Sequence, residues 1–256
     1  MGSLYVNEND YGLKDADVYS VVNSHAIGKV KGDDNVGGLV GANQGDGIVR
    51  SNSDSIYNSY SEGRVVGRVD VGGLVGFMNG AVSKSYAKGD SVIGYRNVGG
   101  LLGYVYSNVD SSYAVANVKG DDNVGGLVGS AQGNISKSYA LGNVNGDEDN
   151  SSAENENLGG LVGYQYSGSV ARSFAVGDVS GTTKIGGLVG RFDGSQILKS
   201  YANGNVTGLN SKTKDVGNIY IGGLVGYGKG IFNVRVPQAG RYIVCIDRQS
   251  RVVNIK

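Results

Sequence analysis

Apolar residues in this chain fall in short clusters broken by glycine and polar residues, and the clusters recur in register. The hexamer apolar-Gly-Gly-Leu-apolar-Gly occurs seven times, with its first glycine at Gly37, Gly72, Gly99, Gly125, Gly159, Gly186 and Gly222. Successive copies are therefore 35, 27, 26, 34, 27 and 36 residues apart. A second block, Ser-aromatic-(Ala/Ser)-x-(Gly/Ala)-x-Val, alternates with the first through Tyr60, Tyr86, Tyr113, Tyr139, Phe174 and Tyr201, and His25 takes the aromatic slot in an earlier copy. The unit is about 26 residues, and polar insertions at about 46–58, 146–157 and 209–218 account for the longer intervals, as surface loops on a repeating frame do.

Glycine every few positions excludes helical repeats, and short β-type runs between glycines predict strands and turns. Stacked identical units bring each strand onto its counterpart one repeat later. The expected fold is all-β: a right-handed parallel β-helix of about eight coils, roughly 35–40 Å long at the usual inter-strand spacing. Twin glycines such as Gly72-Gly73 suit corners that need φ > 0 or close backbone approach. The division expected is an N-terminal start or cap over 1–19, the solenoid over 20–230, and a C-terminal β segment or cap over 231–256. That last segment holds a single glycine, Gly240, the lone Pro and Cys, and three β-rich runs, Ile231–Val236, Arg241–Asp247 and Arg251–Ile255. An antiparallel cap there would blunt the open solenoid edge.

Composition narrows the function. With 46 glycines in 256 residues but one Pro and no Gly-X-Y period, collagen is excluded. The 23 basic and 23 acidic residues give no field that favours nucleic acid or an anionic membrane, and no apolar run reaches the length of a membrane span. The first residues, Met-Gly-Ser-Leu-Tyr-Val, lack the basic and apolar regions of a secretory leader, so export is not read from that end. The single Cys245 excludes an intramolecular disulfide, and four Thr cannot form the ranks of an ice-binding face.

The hexamers from Val36–Gly41 to Ile221–Gly226, alternating with Ser-Tyr-Ala-x-Gly-x-Val, resemble the GLUG-motif repeat family over about residues 20–230. Such repeats are associated with bacterial surface proteins, including adhesins and non-catalytic parts of immunoglobulin-A-cleaving metallopeptidases. The resemblance implies a secreted or cell-surface bacterial setting, within a larger surface protein, and implies no catalytic residue. The tail, Ala239–Asp247 followed by Arg251–Lys256, resembles the final strands of a type IX secretion signal domain.

Candidate chemistry is sparse. His25, the lone histidine, is read as filling the aromatic slot rather than as a general base, and no His-Glu-x-x-His occurs. The segment Val30–Gly41 recurs unchanged at Val118–Gly129, which places Asp33, Asp34, Asp121 and Asp122 at equivalent corners. They are candidate calcium ligands, although Asp and Asn beside glycine are ordinary turn formers and the pairs lie about three coils apart. No other cofactor is expected. The row Tyr60, Tyr86, Tyr113, Tyr139, Phe174 and Tyr201 is read as a structural aromatic ladder, with an internal stack favoured over an outward platform. A second aromatic set follows the hexamers: Phe77, Tyr104, Tyr164 and Tyr227, with Tyr106 and Tyr166 two residues on. These six are the candidate binding residues for a glycan or a partner protein. The expectation is a non-catalytic, adhesin-like binding module, with a passive stalk as the first alternative and a β-helical polysaccharide lyase or hydrolase as the second. A carboxylate cluster in one groove would favour the enzyme.

Overall fold

The computed structural model describes residues 20–44, 55–146, 156–209 and 219–229, together with the backbone of strands 233–235, 240–246 and 249–255. The three insertions fall largely on 45–54, 147–155 and 210–218, and the N-terminal segment on 1–19; these lie outside the described residues. Among the described residues all regular structure is β. Each coil is built from five short strands, which in the third coil are Ala81–Ser83, Tyr86–Lys88, Ser91–Ile93, Arg96–Gly99 and Leu102–Val105. Every strand pairs in parallel with its counterparts in the coils before and after, so that Val98 lies on Val124 and Gly99 on Gly125. Five parallel sheets result, here called first to fifth in chain order. The chain is a parallel β-solenoid. Among the described residues it completes seven coils, and Asn233–Arg235 opens an eighth by pairing with Gln196–Leu198 in the first sheet. The antiparallel hairpin Gly240–Ile246 and Gln249–Ile255 follows, joined to the fifth sheet at Gly228 and Ile246.

The interior has two lobes. Ile56, Val82, Val109, Ile135, Val170 and Ile197 of the first sheet meet the hexamer leucines and the fifth sheet in one core. Val65, Val92, Val118, Val144 and Val179 of the third sheet meet Val71, Val98, Val124, Leu158 and Ile185 of the fourth in another. Between the lobes the coil narrows to a waist where the second hexamer glycine faces the Ala of Ser-Tyr-Ala. A Cβ on Gly73 would lie 2.8 Å from that of Ala87, and one on Gly100 or Gly126 would lie 2.9 Å from that of Ala114 or Ala140. The two motifs thus specify each other across the interior: glycine on one wall allows only alanine or serine on the other. Close approach, not a positive φ, is what these twin glycines supply, since none of them is in the left-handed region.

The left-handed corners fall instead on polar residues. Asn23, Asn58, Lys84, Ser111, Lys137, Arg172 and Lys199, with φ of 47–51°, turn the chain from the first sheet into the second. Asn35, Asp70, Asn97, Asn123, Asn157 and Lys184, with φ of 51–57°, occupy one slot of the fourth sheet. The amides in that slot form a ladder: Asn97 Nδ2 donates to Asp70 Oδ1 (2.7 Å), Asn123 Nδ2 to Asn97 Oδ1 (2.9 Å) and Asn157 Nδ2 to Asn123 Oδ1 (2.9 Å). Asp70 ends the ladder as a carboxylate, and burial, opposed by the Asn97 hydrogen bond and Arg96, pushes its pKa above the usual range. Its folded state therefore holds the proton to higher pH than the unfolded chain, and stability falls as pH rises through the window above the ordinary Asp value. Asp70→Asn keeps the acceptor and adds a donor toward Asn35. It is expected to raise stability at neutral pH by about 1 kcal/mol and to remove this part of the pH dependence. Urea melts of both proteins at acid and neutral pH check this; an unchanged difference between the two pH values would exclude it.

A second ladder lines the corner before the aromatic slot. The backbone N–H of Ser24, Ser59, Ser85, Ser112, Ser138 and Ser173 each donates to the Oγ of the serine one coil on, all at 3.1 Å, and the last acceptor is Ser200. Each Oγ from Ser24 to Ser200 donates in turn to the carbonyl two residues back. From Ser59 to Ser200 the Ser of the second block is a buried hydrogen-bonding post that satisfies the backbone where sheet pairing is interrupted by the corner.

Candidate functional site

The two aromatic sets have different geometry. In the ladder, His25, Tyr60, Tyr86, Tyr113, Tyr139, Phe174 and Tyr201 form one row of seven rings, with centroids 4.8–5.1 Å apart and interplanar angles of 1–9°. The row lies on the outside of the second sheet, contrary to the favoured internal stack. Ser85 and Ala87 point inward and are buried, while Tyr86 is half-exposed and Lys88 lies over its ring at 4.8 Å. The waist explains this, because an interior just wide enough for Ala against Gly has no room for a ring. His25 fills the aromatic slot and stacks on Tyr60, as expected. From Tyr60 to Phe174 both faces of each ring are covered by neighbours, while the end rings His25 and Tyr201 each keep one face open.

The six candidate binding residues are brought together on the fifth sheet. Its outward slot holds Ala42, Phe77, Tyr104, Ser130, Tyr164, Arg191 and Tyr227 in register from the first to the seventh coil. Phe77 stacks on Tyr104 (5.6 Å, 16°), and Tyr106 meets both, edge-on to Phe77 at 5.8 Å and tilted to Tyr104 at 5.0 Å. Tyr166 bridges the Ser130 coil to reach Tyr104 at 6.4 Å and lies 3.6 Å from Tyr164. Arg191 sits over Tyr164 at 4.4 Å and over Tyr227 at 5.8 Å. The result is one continuous aromatic belt along the rod. Tyr164 is 8 % exposed, but Tyr106 and Tyr166 each keep 40 % of their surface in solvent at tilts that leave ring area uncovered.

Polar groups fix the belt. Gln132 Nε2 donates to the Tyr104 hydroxyl (2.7 Å), and burial pushes that phenol up to about 12, with the Gln132 bond opposing. The Tyr164 hydroxyl donates to Asp193 Oδ2 (2.6 Å), which also receives Arg191 Nη2 at 2.9 Å; burial, then this bond, pushes the Tyr164 pKa up. Both hydroxyls stay protonated across the physiological range. Asp193 Oδ1 is buried and receives no donor among the described residues. Gln132, Arg191 and Asp193 were not singled out from sequence. The signal was present in Val189-Gly190-Arg191, which aligns with Leu102-Gly103-Tyr104, but cation and aromatic do not look alike in a pattern of types.

The acidic corners separate by coil. Asp33 and Asp34 receive Arg68 Nε and Nη2 at 2.7 and 2.9 Å on the exposed surface. Asp121 and Asp122 lie three coils further along, and among the described residues no three His, Cys, Asp or Glu gather as metal ligands. Asp122 instead lies in register with Glu156 and beside the belt. Burial, then Glu156, pushes the Asp122 carboxyl up. Asn157 Nδ2 donates to it at 3.3 Å, and Lys184 Nζ holds Glu156 Oε2 at 3.0 Å. Asp122 and Glu156 thus form a carboxylate pair on adjacent coils, each with a partner.

The family model of the GLUG motif matches residues 120–145 and 154–180. Each match starts two residues before the fourth strand of one coil and ends in the third strand of the next, about one turn of the solenoid. These are GLUG repeats. No curated protein and no solved structure matches the chain. In GLUG terms the hexamer is the arch between the fourth and fifth sheets, and the Ser-aromatic-Ala block is the opposite wall. Among the described residues no helix is long and apolar enough to cross a membrane.

Proposed function

We propose that this GLUG solenoid is a non-catalytic, adhesin-like binding module that recognises glycans through the belt on its fifth sheet. The observation that carries this reading is the exposed ring surface of Tyr106 and Tyr166, held on a rigid frame beside Gln132, Arg191 and Asp193. Aromatic faces take the C–H side of a sugar, and planar polar side chains take its hydroxyls. A setting outside a bacterial cell, as part of a larger surface protein, accords with the settings associated with these repeats. Neither nucleic acid nor a membrane is proposed as partner, since the chain carries +0 net charge.

A glycan-array screen of the purified chain tests the reading, repeated with Tyr106 and Tyr166 both changed to Ala. Saturable binding is expected, weakened roughly ten-fold or more in the double variant while its circular-dichroism melt is unchanged. Absence of binding across the array would favour the passive stalk. Bound glycans are also assayed for new reducing ends, and none are expected. Cleavage lost in Asp122→Asn would instead support the polysaccharide-degrading alternative, for which the Asp122–Glu156 pair is the supporting observation.

A further inference from the structure

The residue that follows the fifth strand occupies an equivalent place in each coil, because its N–H continues the ladder to the coil before. Asn79 bonds Asn43 O (3.0 Å), Tyr106 Met78 O (3.0 Å), Gln132 Val105 O (3.0 Å), Tyr166 Ala131 O (2.8 Å) and Asp193 Gln165 O (2.8 Å). Along coils two to six this row reads Asn, Tyr, Gln, Tyr, Asp, an alternation of polar and aromatic with a period of two coils, which ends at Lys229 in the seventh coil, bonded to Phe192 O (3.2 Å). Coils rise by about 4.8 Å, close to the length that one sugar takes up in an extended β-1,4-linked chain. In such a chain each ring is turned half a revolution from the last, so equivalent faces recur on every second ring. Equatorial linkages keep the chain straight, as the belt is straight, whereas an α-1,4-linked chain curls away from it. Within coils two to six Arg191 is neutralised by Asp193 and Lys184 is paired with Glu156, which suits an uncharged chain over that stretch.

We propose that the belt binds a β-1,4-linked, uncharged glycan ribbon lying parallel to the solenoid axis, one sugar per coil, with alternate rings on Tyr106 and Tyr166 and the intervening rings beside Asn79, Gln132 and Asp193. This rests on the glycan-binding reading above. Calorimetric titration of the full chain with cellohexaose, chitohexaose and maltohexaose tests it. At least one of the two β-1,4 hexasaccharides is expected to bind roughly ten-fold or more tighter than maltohexaose. Affinity for its shorter homologues is expected to rise up to about five units, one for each coil over which the row alternates, and Tyr166→Ala is expected to weaken the hexasaccharide roughly ten-fold with the thermal melt unchanged. Equal binding of maltohexaose, or array hits confined to other linkages, would overturn the ribbon and leave the glycan reading standing. Failure of every probe here and on the array would overturn both.

Discussion

Gly126→Ala is expected to destabilise the solenoid by about 3 kcal/mol or more, whereas Gly223→Ala, in the same slot of the same hexamer, should change stability by about 0.5 kcal/mol or less. A Cβ on Gly126 would strike the carbonyl oxygen of Gly160, come within 3.2 Å of that residue's carbonyl carbon, and lie 2.9 Å from the Ala140 Cβ. Backbone and a core methyl cannot swing aside as a flexible side chain can. Among the described residues a Cβ on Gly223 would meet no atom within 4 Å. Coils are stabilised by their neighbours, so the damage at Gly126 should spread to the interface between the fourth and fifth coils. Thermal melts and amide exchange of the two variants measure this. Equal melting of the variants would refute the waist as the reason for the second glycine.

Ser112→Ala is expected to cost about 1–3 kcal/mol, and Tyr113→Phe, at the adjoining position, about 0.5 kcal/mol or less. The serine is fully buried; its Oγ accepts from Ser85 N–H at 3.1 Å and donates to Asp110 O at 2.8 Å. Alanine leaves a buried donor without a partner, which costs more than the hydrogen bond itself contributes. The tyrosine lies outside, its ring covered on both faces by Tyr86 and Tyr139, and Phe174 already fills the same slot two coils on. The ladder needs the ring and not the hydroxyl. A Ser112→Ala protein as stable as Tyr113→Phe in urea melts would show that the serine ladder adds nothing.

Much of the fold could be read from the chain because stacking identical units forces like onto like. Gly99 lies on Gly125 and Tyr86 on Tyr113 for the same reason that the hexamer recurs at a fixed interval. His25 could be placed in the aromatic row by its neighbours Ser24 and Ala26, and Phe77, Tyr104, Tyr106, Tyr164, Tyr166 and Tyr227 could be grouped by their offset from the hexamer. The coil count was less legible, because a repeat marks one motif per turn and does not say where a turn is completed: among the described residues seven coils are whole and the eighth is begun by Asn233–Arg235.

Sequence alone determined the period, the parallel register and the membership of each row, since these follow from spacing along the chain. Tertiary structure decided which way each row faces and what lies across from it. The narrow Gly–Ala waist put the aromatic ladder outside, a result no alternation rule could supply without the width of the interior. Left-handed corners fell on Lys84, Lys137, Arg172 and the Asn ladder rather than on the twin glycines, because the glycines were needed for close approach and the polar side chains bond along the stack or reach solvent. The belt, likewise, exists only in three dimensions. Tyr104, Gln132, Tyr164, Arg191 and Asp193 come from four different coils, and the angles that leave Tyr106 and Tyr166 open while closing the inner ladder rings are set by side-chain packing between coils.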